Sequence, residues 1–325
     1  MKFLFLNTFL TICSLVIIYY RLEIATKLKI LDLPDNKRKI HTSPMPLLGG
    51  CIIFLFTITN LFYSIHISEI SLKLGMVLSV LYSCFFLIGI YDDKYLLSPI
   101  KKTIFIIFLL LIFLPLDQNL IIDTFIFKDM EKIIFLNQGG LFFTVLSIYF
   151  FFNFLNFADG INGVAISLCI FWSIIFLIKN NEINYFIFSM IISLALVLFF
   201  NIRNKIFLGN NGSSILSIIF SSYLIFNYNI EGQIKCDEIF LLLFIPGIDS
   251  IRVSLQRVYK QQSPFKGDNI HLHHLLIKFV NIKYIFIIYV LMSAVPFMLT
   301  YFISTITSLI ISLILYFTVF FVTNK

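Results

Sequence analysis

Charged residues are scarce in this chain. Only 13% of its 325 residues are Asp, Glu, Lys or Arg, whereas soluble domains carry roughly 25%. Hydrophobic residues make up 59% of the sequence, and the mean hydropathy is +0.98. One soluble core cannot hide that much apolar surface, because even large domains leave about a quarter of their chain surface in water. The composition therefore excludes a soluble globular protein and predicts a membrane protein.

Paired cysteines, repeats and low-complexity linkers are also lacking. The cysteines show no CxxC spacing and four of the five lie in apolar runs, so we assign no disulfide, metal or nucleophilic role to Cys13, Cys51, Cys84, Cys169 and Cys236. No soluble domain interrupts the chain. Residues 1–325 are therefore interpreted as a single integral membrane domain.

Apolar runs that approach the roughly 20 residues needed to cross a bilayer recur along the chain. They predict an all-α polytopic membrane protein with about eleven transmembrane helices, near 3–20, 46–64, 74–91, 103–120, 140–156, 164–179, 184–200, 213–229, 238–249, 282–300 and 303–322. The run 238–249 is short and contains Pro246 and Gly247, which favours a broken or tilted segment. The first run could also be a secretory signal peptide. The lack of a small-residue cleavage site and the basic cluster after it favour a first transmembrane helix.

The positions of the basic residues predict the orientation. Eighteen of the 24 Lys and Arg residues fall in the first, third, seventh and ninth loops and at the C-terminus, which is one side of the predicted membrane. The basic side should be cytoplasmic. The N-terminus is therefore predicted outside, and the long polar stretches 21–45 and 249–281 are predicted to be cytoplasmic.

Carboxylates stand at two helix ends on that side. Asp92 and Asp93 follow the third run, and such neighbours repel each other unless a cation, a partner or a shared proton relieves them. A solvated helix-end pair is the alternative. Asp159 lies in the segment Asn156-Phe-Ala-Asp-Gly-Ile-Asn-Gly163, where its glycines allow a tight turn. A carboxylate at membrane depth is costly unless it is paired or functional, which favours a functional site.

Two further segments carry polar groups. Residues 207–214 form a glycine-flanked turn that opens a helix, a place that suits phosphate, although Asn-Gly also makes ordinary turns. The ninth loop holds Asp249, Arg252, Arg257 and Asp268 and then His271-Leu-His273-His274. The histidine spacing differs from that of a helical zinc motif, so anion contact beside the cations is favoured over zinc.

The first loop, 32–46, contains Arg38, His41 and three prolines and leads to Gly49-Gly50. Attraction to anionic lipid explains its charge but not its prolines, its histidine or the glycine pair. Polar groups from five loops thus fall on one predicted membrane face. Acidic groups for a divalent metal beside cations for phosphates favour one shared phosphoryl-transfer site.

These motifs, in this order, resemble the polyprenyl-phosphate N-acetylhexosamine-1-phosphate transferase family, which includes the phospho-MurNAc-pentapeptide translocase. The resemblance runs from Asp32 to His274, and the interrupted His-x-His-His favours the hexosamine branch. It implies a multi-pass enzyme of the bacterial inner membrane with its active site on the cytoplasmic face. The enzyme would transfer a sugar-1-phosphate from a UDP-sugar to undecaprenyl or another polyprenyl phosphate and release UMP, starting a cell-envelope glycan such as O-antigen.

The resemblance also implies residue roles. Asp92, Asp93 and Asp159 would be catalytic, and Asp92, Asp93 and Asn210 would bind Mg²⁺, with Mn²⁺ as an alternative. The substrate-binding residues would be Arg38, His41, Lys102, Asn156, Gly160, Asn162, Gly163, Arg252, His271, His273 and His274. The implied partners are polyprenyl phosphate, a UDP-sugar and the lipid bilayer, without nucleic acid and with a homodimer left open.

Two departures from the family pattern define a rival interpretation. Asn210 and Asn162 stand where the family usually has aspartate, and an amide brings no charge to a metal. A catalytically impaired member that binds lipid or nucleotide is therefore the main alternative. A secondary transporter is a second one, but it predicts mid-bilayer polar residues and symmetric halves, and the sequence shows neither.

Overall fold

The fold was determined as a computed structural model. It describes residues 1–34, 42–129, 132–179, 184–230, 232, 234–264 and 268–324. The predicted binding residues Arg38 and His41 lie outside the described residues. The described chain divides into two compact units, one formed by residues 1–117 and 172–220 and the other by residues 118–171 and 221–325. We call them the first and second unit.

Helices dominate the described residues. In chain order they are α1 (Lys2–Tyr19), α2 (Arg21–Leu28), α3 (Gly49–His66), α4 (Leu72–Tyr95), α5 (Pro99–Phe113), α6 (Gly140–Ala158), α7 (Val164–Lys179), α8 (Tyr185–Asn201), α9 (Gly209–Ile230), α10 (Cys236–Tyr259), α11 (Leu272–Leu276), α12 (Ile285–Leu299) and α13 (Thr305–Thr323). Short 3-10 turns cover Leu114–Leu116, Gln118–Leu120, Asn137–Gly139 and Ile282–Tyr284. Two small antiparallel hairpins complete the fold, β1 (Leu31–Asp32) with β2 (Met45–Pro46) and β3 (Thr124–Ile126) with β4 (Ile133–Phe135).

Every predicted transmembrane run coincides with a helix. Eight helical segments within the described residues are long and apolar enough to cross a membrane, and α7 and α8 are apolar but shorter. The prediction of a helical, multi-pass membrane protein is confirmed. The number of crossings and the orientation stay predictions.

The predicted break in the ninth run is wrong, because α10 runs without interruption through Pro246 and Gly247 to Tyr259. A proline removes only one backbone donor from the helix, and packing in the second unit against α6, α12 and α13 supports the remainder. Asp249, Arg252 and Arg257 therefore lie on a helix and not in a loop. They project at fixed spacing from one rigid element.

In the first unit α3 packs against α8, α4 and α1. A buried polar cluster joins three of these helices: the Ser189 hydroxyl donates to Asn7 Oδ1 over 2.7 Å, and Asn7 and Asn60 exchange amide contacts of 3.4 Å. Polar side chains inside an apolar bundle pair with each other because lipid offers no partner. These contacts fix the register of α1, α3 and α8.

In the second unit the β3–β4 hairpin is bound to α10 by an ion pair between an exposed lysine and a buried glutamate. Lys128 Nζ lies 3.1 Å from Glu238 Oε1 and donates to the Thr300 carbonyl over 3.3 Å, while the Lys128 backbone N–H donates to Asp237. The Glu238 side chain is only 1% exposed, so its charge requires this partner. Lys128 thus attaches the hairpin to the helices of the second unit.

Candidate functional site

The first helical turn of α9 is capped by Asp93. Its Oδ1 accepts the Asn210 N–H over 2.8 Å, and its Oδ2 accepts the Asn211 N–H over 3.0 Å and the Asn211 side-chain amide. Free N–H groups at a helix start attract anions, and here the anion is a side chain of α4. From the sequence, both a phosphate site and an ordinary turn were open at this position. The structure gives the Asn210 and Asn211 N–H groups to Asp93 instead.

Asp92 binds a different partner in the first unit. Its Oδ2 lies 2.8 Å from Lys102 Nζ, and its Oδ1 accepts the Leu97 N–H over 2.7 Å. Lys102 Nζ also lies 3.4 Å from Asn210 Oδ1. One ammonium on α5 is therefore shared by an oxygen from α4 and an oxygen from α9.

Glycines bring these segments into contact. A Cβ on Gly50 would lie 2.0 Å from Asn211 Oδ1, and a Cβ on Gly89 would lie 2.4 Å from the Asn211 Cα, so neither position admits a side chain. The Gly49 and Gly50 N–H groups donate to the carbonyls of Phe207 and Leu208 over 2.9 and 3.1 Å. Three of the sequence motifs, at 46–50, 92–93 and 207–213, thus meet in the first unit.

The other two motifs meet in the second unit. Gly163 has a left-handed backbone with φ 89°, as expected of the tight turn after α6. A Cβ on Gly160 would lie 2.5 Å from His273 Nε2 and 2.9 Å from His274 Nε2, so two imidazoles rest directly on this glycine. The predicted binding residues Gly160, His273 and His274 are therefore neighbours. Asn156, Asp159, Asn162 and Gly163 belong to the same turn and its approach.

His271 is held on both sides by protein groups. Its Nδ1 lies 2.9 Å from Asp249 Oδ2, and its Nε2 lies 3.4 Å from Arg257 Nη2. Because arginine can only donate, Nε2 accepts and the ring proton is on Nδ1, which donates to Asp249. Both ring nitrogens are thus used internally. The geometry fits a positioning role for His271 better than the predicted contact with substrate.

Arg257 binds two residues of the segment that precedes the histidines, Pro264 and Asp268. Its side chain is 2% exposed and makes a bidentate pair with Asp268, with nitrogen–oxygen distances of 2.9 and 3.0 Å. A third donor reaches the Pro264 carbonyl over 2.6 Å. Burial alone would raise the pKa of Asp268, but the hydrogen bonds and charge of Arg257 lower that pKa below its usual range. Asp268 therefore remains ionised and holds Arg257 in place.

Most N–H donors of Arg252 bind groups within the protein. Its Nε donates to the Tyr316 hydroxyl, Nη1 to Gln256, and Nη2 to Asp249 and to the Ile270 carbonyl. Four of the five N–H donors of a guanidinium are thus used. The predicted role in holding substrate oxygens is disfavoured because only one donor remains.

His273 differs from its neighbours. It is 1% exposed, and neither ring nitrogen has a hydrogen-bond partner among the described residues. Burial lowers the pKa of His273 well below its usual range, and His274 and His271 lower it further. His273 is therefore a neutral imidazole, with one donor and one acceptor nitrogen beside Gly160. It is the histidine that best fits a contact with a ligand.

An apolar cavity of about 840 Å³ lies in the same unit, between α6, the second half of α9 and α10. Its wall includes Phe154, Phe157, Phe244, Gly247 and Pro264, and no Asp, Glu, Lys, Arg or His belongs to it in the described ranges. Phe157 also faces the Arg257 guanidinium at 5.4 Å and the His271 ring at 5.2 Å. The charged cluster and the apolar cavity therefore share Phe157 and, through its carbonyl, Pro264.

The predicted metal ligands Asp92, Asp93 and Asn210 differ in how well their contacts suit Mg²⁺. Mg²⁺ prefers oxygen ligands, and Asp92 Oδ2 and Asn210 Oδ1 already face one cation, the Lys102 ammonium. Both Asp93 oxygens bind N–H groups of α9, which fits a helix cap better than a metal ligand. Within the described ranges no group of three or more His, Cys, Asp or Glu side chains could hold a metal ion.

Several residues of the two clusters were not predicted from sequence. Asn211 and Gly89 complete the first cluster, while Asp249, Asp268 and Tyr316 complete the second. Asp249 and Asp268 are acidic residues in a basic segment of the sequence, and this pattern could have predicted their ion pairs. Tyr316 gave none, because one tyrosine in an apolar run is commonplace in membrane helices.

The helices define a multi-pass helical membrane protein. Lys102 pairs with Asp92 in the first unit, while Arg257 and His271 lie beside an apolar cavity in the second unit. Residues 75–227 match the model of glycosyl transferase family 4. The resemblance predicted from the motifs is thereby confirmed.

Curated relatives agree with the family match. A Bacillus subtilis (strain 168) protein, described as a probable undecaprenyl-phosphate N-acetylglucosaminyl 1-phosphate transferase, is 29% identical over 79% of this chain and 72% of its own length. The undecaprenyl-phosphate alpha-N-acetylglucosaminyl 1-phosphate transferase of Escherichia coli (strain K12) is 25% identical over 80% and 72%. The protein of that description from Pasteurella multocida (strain Pm70) is 28% identical over 84% and 77%.

Removing the Asp93 cap should destabilise the first unit. Asp93→Ala leaves the Asn210 and Asn211 N–H groups without their acceptor, so we expect the free energy of unfolding to fall by about 2 kcal/mol. Asp93→Asn keeps one acceptor oxygen and should lose less. Thermal or denaturant unfolding of the purified protein in detergent measures this. Glu23→Ala removes an exposed carboxylate and serves as the control; an Asp93→Ala protein as stable as the parent would contradict the capping role.

Proposed function

We propose that this protein transfers a sugar-1-phosphate, by resemblance an N-acetylhexosamine-1-phosphate, from a UDP-sugar to polyprenyl phosphate at the cytoplasmic face of a bacterial inner membrane. The products are polyprenyl-diphosphate-sugar, which starts a cell-envelope glycan, and UMP. The observation that supports this most is a charged cluster joined to an apolar cavity within one unit, through Phe157 and Pro264. A site of this kind suits an amphiphile with an anionic head.

The apolar cavity suits the polyprenyl chain of the acceptor. A chain of isoprene units has no hydrogen-bonding groups, so it requires a wall without charges, and the described wall has none. Burial of apolar surface yields about 25 cal/mol per Å², enough to retain a long chain without any polar contact. The phosphate end would then lie toward the charged cluster.

The turn at 159–163 and the histidines suit the diphosphate of the donor. His273 offers an unpaired N–H beside Gly160, and the Gly160 backbone has no side chain to hold a ligand away. In the proposed reaction an oxygen of the lipid phosphate forms a bond to the β-phosphorus of the UDP-sugar. The bond from that phosphorus to the bridging oxygen breaks, and UMP leaves with the electron pair.

In the first unit, Asp92, Lys102 and Asn210 offer a separate chemistry. Asp92 and Asn210 are the residues that would hold Mg²⁺, and such an ion would neutralise charge on phosphate oxygens. Lys102, aligned by Asp92, is itself a phosphate-binding cation. Asp92, Asp93 and Asp159 as catalytic groups, and one pocket shared by all five motifs, stay predictions.

Membranes containing the protein should convert a UDP-sugar and polyprenyl phosphate into a lipid-linked product. We expect UDP-N-acetylhexosamines to be the preferred donors, with Mg²⁺ or Mn²⁺ required. Mass spectrometry of the lipid fraction and quantification of UMP measure both products. Membranes without the protein are the control. If no donor in a panel yields a lipid-linked sugar phosphate, the proposal is wrong.

Filling the cavity should impair use of the acceptor. A Cβ on Gly247 meets no atom within 4 Å although Gly247 lines the cavity, so Gly247→Leu adds a side chain to open space without a clash. We expect the KM for polyprenyl phosphate to rise about tenfold while UDP binding stays unchanged. Gly247→Ala adds one methyl group and should cost far less. Equal acceptor use by the Leu variant and the parent would remove the cavity from the acceptor site.

Restoring a carboxylate at Asn210 tests the impaired-member alternative. Asn210→Asp adds a charge next to the Lys102 ammonium that Asp92 also contacts, so we expect Mg²⁺ to raise the thermal unfolding temperature more than it does in the parent. Asn324→Asp adds an equal charge at the end of α13 and is the control. A large gain of turnover in Asn210→Asp combined with Asn162→Asp would favour impairment. Robust turnover of the parent would show that the amides suffice, and an unchanged response to Mg²⁺ would exclude Asn210 as a metal ligand.

A further inference from the structure

We propose that Tyr316, on the last helix, is a positioning residue for the histidines that face the 159–163 turn. The inference rests on the proposed function, because it assigns to these histidines the diphosphate of the nucleotide-sugar. Tyr316 itself would touch no substrate. It would act through Asp249, His271 and the short helix α11.

Asp249 connects four parts of the second unit. Its carboxylate accepts the Arg252 guanidinium at 2.8 Å, the His271 ring at 2.9 Å and the Leu272 N–H at 3.1 Å. The Tyr316 hydroxyl donates to Asp249 Oδ1 over 2.9 Å. The Asp249 side chain is 2% exposed, so its orientation is decided by these partners and not by solvent.

Tyr316 is locked between two charged groups. It is fully buried, and its hydroxyl accepts the Arg252 Nε–H over 2.7 Å while it donates to Asp249. Its ring is parallel to the Phe320 ring, and the Arg252 guanidinium lies 4.5 Å from the centre of that ring. The hydroxyl therefore fixes the distance between the Arg252 and Asp249 charges and ties both to α13.

The hydrogen bonds of Asp249 determine how the histidines are oriented. Asp249 holds the first residue of α11 through the Leu272 N–H and the preceding His271 through its ring. The His271 and His273 rings are parallel, with centres 5.5 Å apart, and His273 ends this series beside Gly160. His273 has no hydrogen-bond partner of its own within the described ranges. Its direction therefore depends on the elements that carry it.

Tyr316→Phe would keep the packing of the ring and remove the two hydrogen bonds of the hydroxyl. Arg252 would lose the acceptor of its Nε–H, and Asp249 would lose one of four partners, so the carboxylate could turn toward Arg252 and away from α11. A displacement of His273 by a fraction of an ångström would weaken a hydrogen bond to a diphosphate oxygen. Binding of the nucleotide should then suffer more than folding.

The test compares the full-length parent with Tyr316→Phe, reconstituted in lipid nanodiscs. Calorimetric titration with UDP should show affinity about tenfold weaker in the variant, at a temperature where both proteins are folded. The KM for the UDP-sugar should rise by a similar factor, and the KM for polyprenyl phosphate should stay within twofold. Tyr284→Phe removes an exposed hydroxyl and should change neither value.

Two further measurements separate positioning from general packing. Asp249→Asn and the Asp249→Asn, Tyr316→Phe double variant should bind UDP equally, because Tyr316 acts through Asp249; additive losses would contradict the relay. NMR of ¹⁵N-labelled histidines should show a shifted His271 Nδ1–H resonance in Tyr316→Phe.

The outcomes distinguish this inference from the proposed function. If the parent binds UDP but makes no lipid product, the proposed transfer fails, while a weaker UDP affinity in Tyr316→Phe still supports the positioning role. If the variant binds UDP as the parent does, or if the parent does not bind UDP at all, the positioning role is overturned.

Discussion

The second unit depends on how a single buried carboxylate is paired. Asp249 lies at 2% exposure on a helix packed against three others, and leaving such a charge without partners would cost several kcal/mol. Arginine, histidine, tyrosine and a backbone N–H, drawn from α10, α11, α13 and the loop before α11, share it. Because each partner sits on a different segment, the electrostatic requirement is also a geometric one. The histidines are placed by the pairing of a charge that never needs to meet a ligand.

In the first unit, Asp93 is likewise a carboxylate that requires hydrogen-bond donors from the protein. Its carboxylate would be costly among apolar helices, and the N–H groups at the start of α9 would be equally costly without acceptors. Each satisfies the other, and the glycines of α3 and α4 permit the close approach that this requires. Asp92, its neighbour in sequence, is left to face Lys102. Adjacent carboxylates thus take up different tasks, since successive helical residues point in different directions.

The helices were largely predictable from the sequence, and the site only in part. Long apolar runs identify helices directly. In lipid the backbone must satisfy its own hydrogen bonds, and a single apolar run of about 20 residues can do so only as a helix. The continuity of α10 was missed because Pro246 and Gly247 signal a break in isolation, while neighbouring helices support the chain through both residues. One site shared by all five motifs was predicted from their common membrane side, and 46–50, 92–93 and 207–213 do meet in the first unit. The different roles of Asp92 and Asp93, and of His271 and His273, could not be predicted. They depend on which hydrogen-bond donors the packing of the helices brings near each side chain. Tyr316 contributes through a partner 67 residues away in sequence, and no local pattern reports that distance.

The uncharged wall of the cavity has a consequence for selectivity. A wall without acidic or basic side chains holds a hydrocarbon by area and shape, and such contact changes little from one isoprene unit to the next. A wall of this kind cannot count the units of a chain or recognise its far end. In the proposed transfer, discrimination among lipids would then reside where the cavity meets Arg257 and Phe157, and lipids that share an anionic head but differ in length would compete for entry on nearly equal terms.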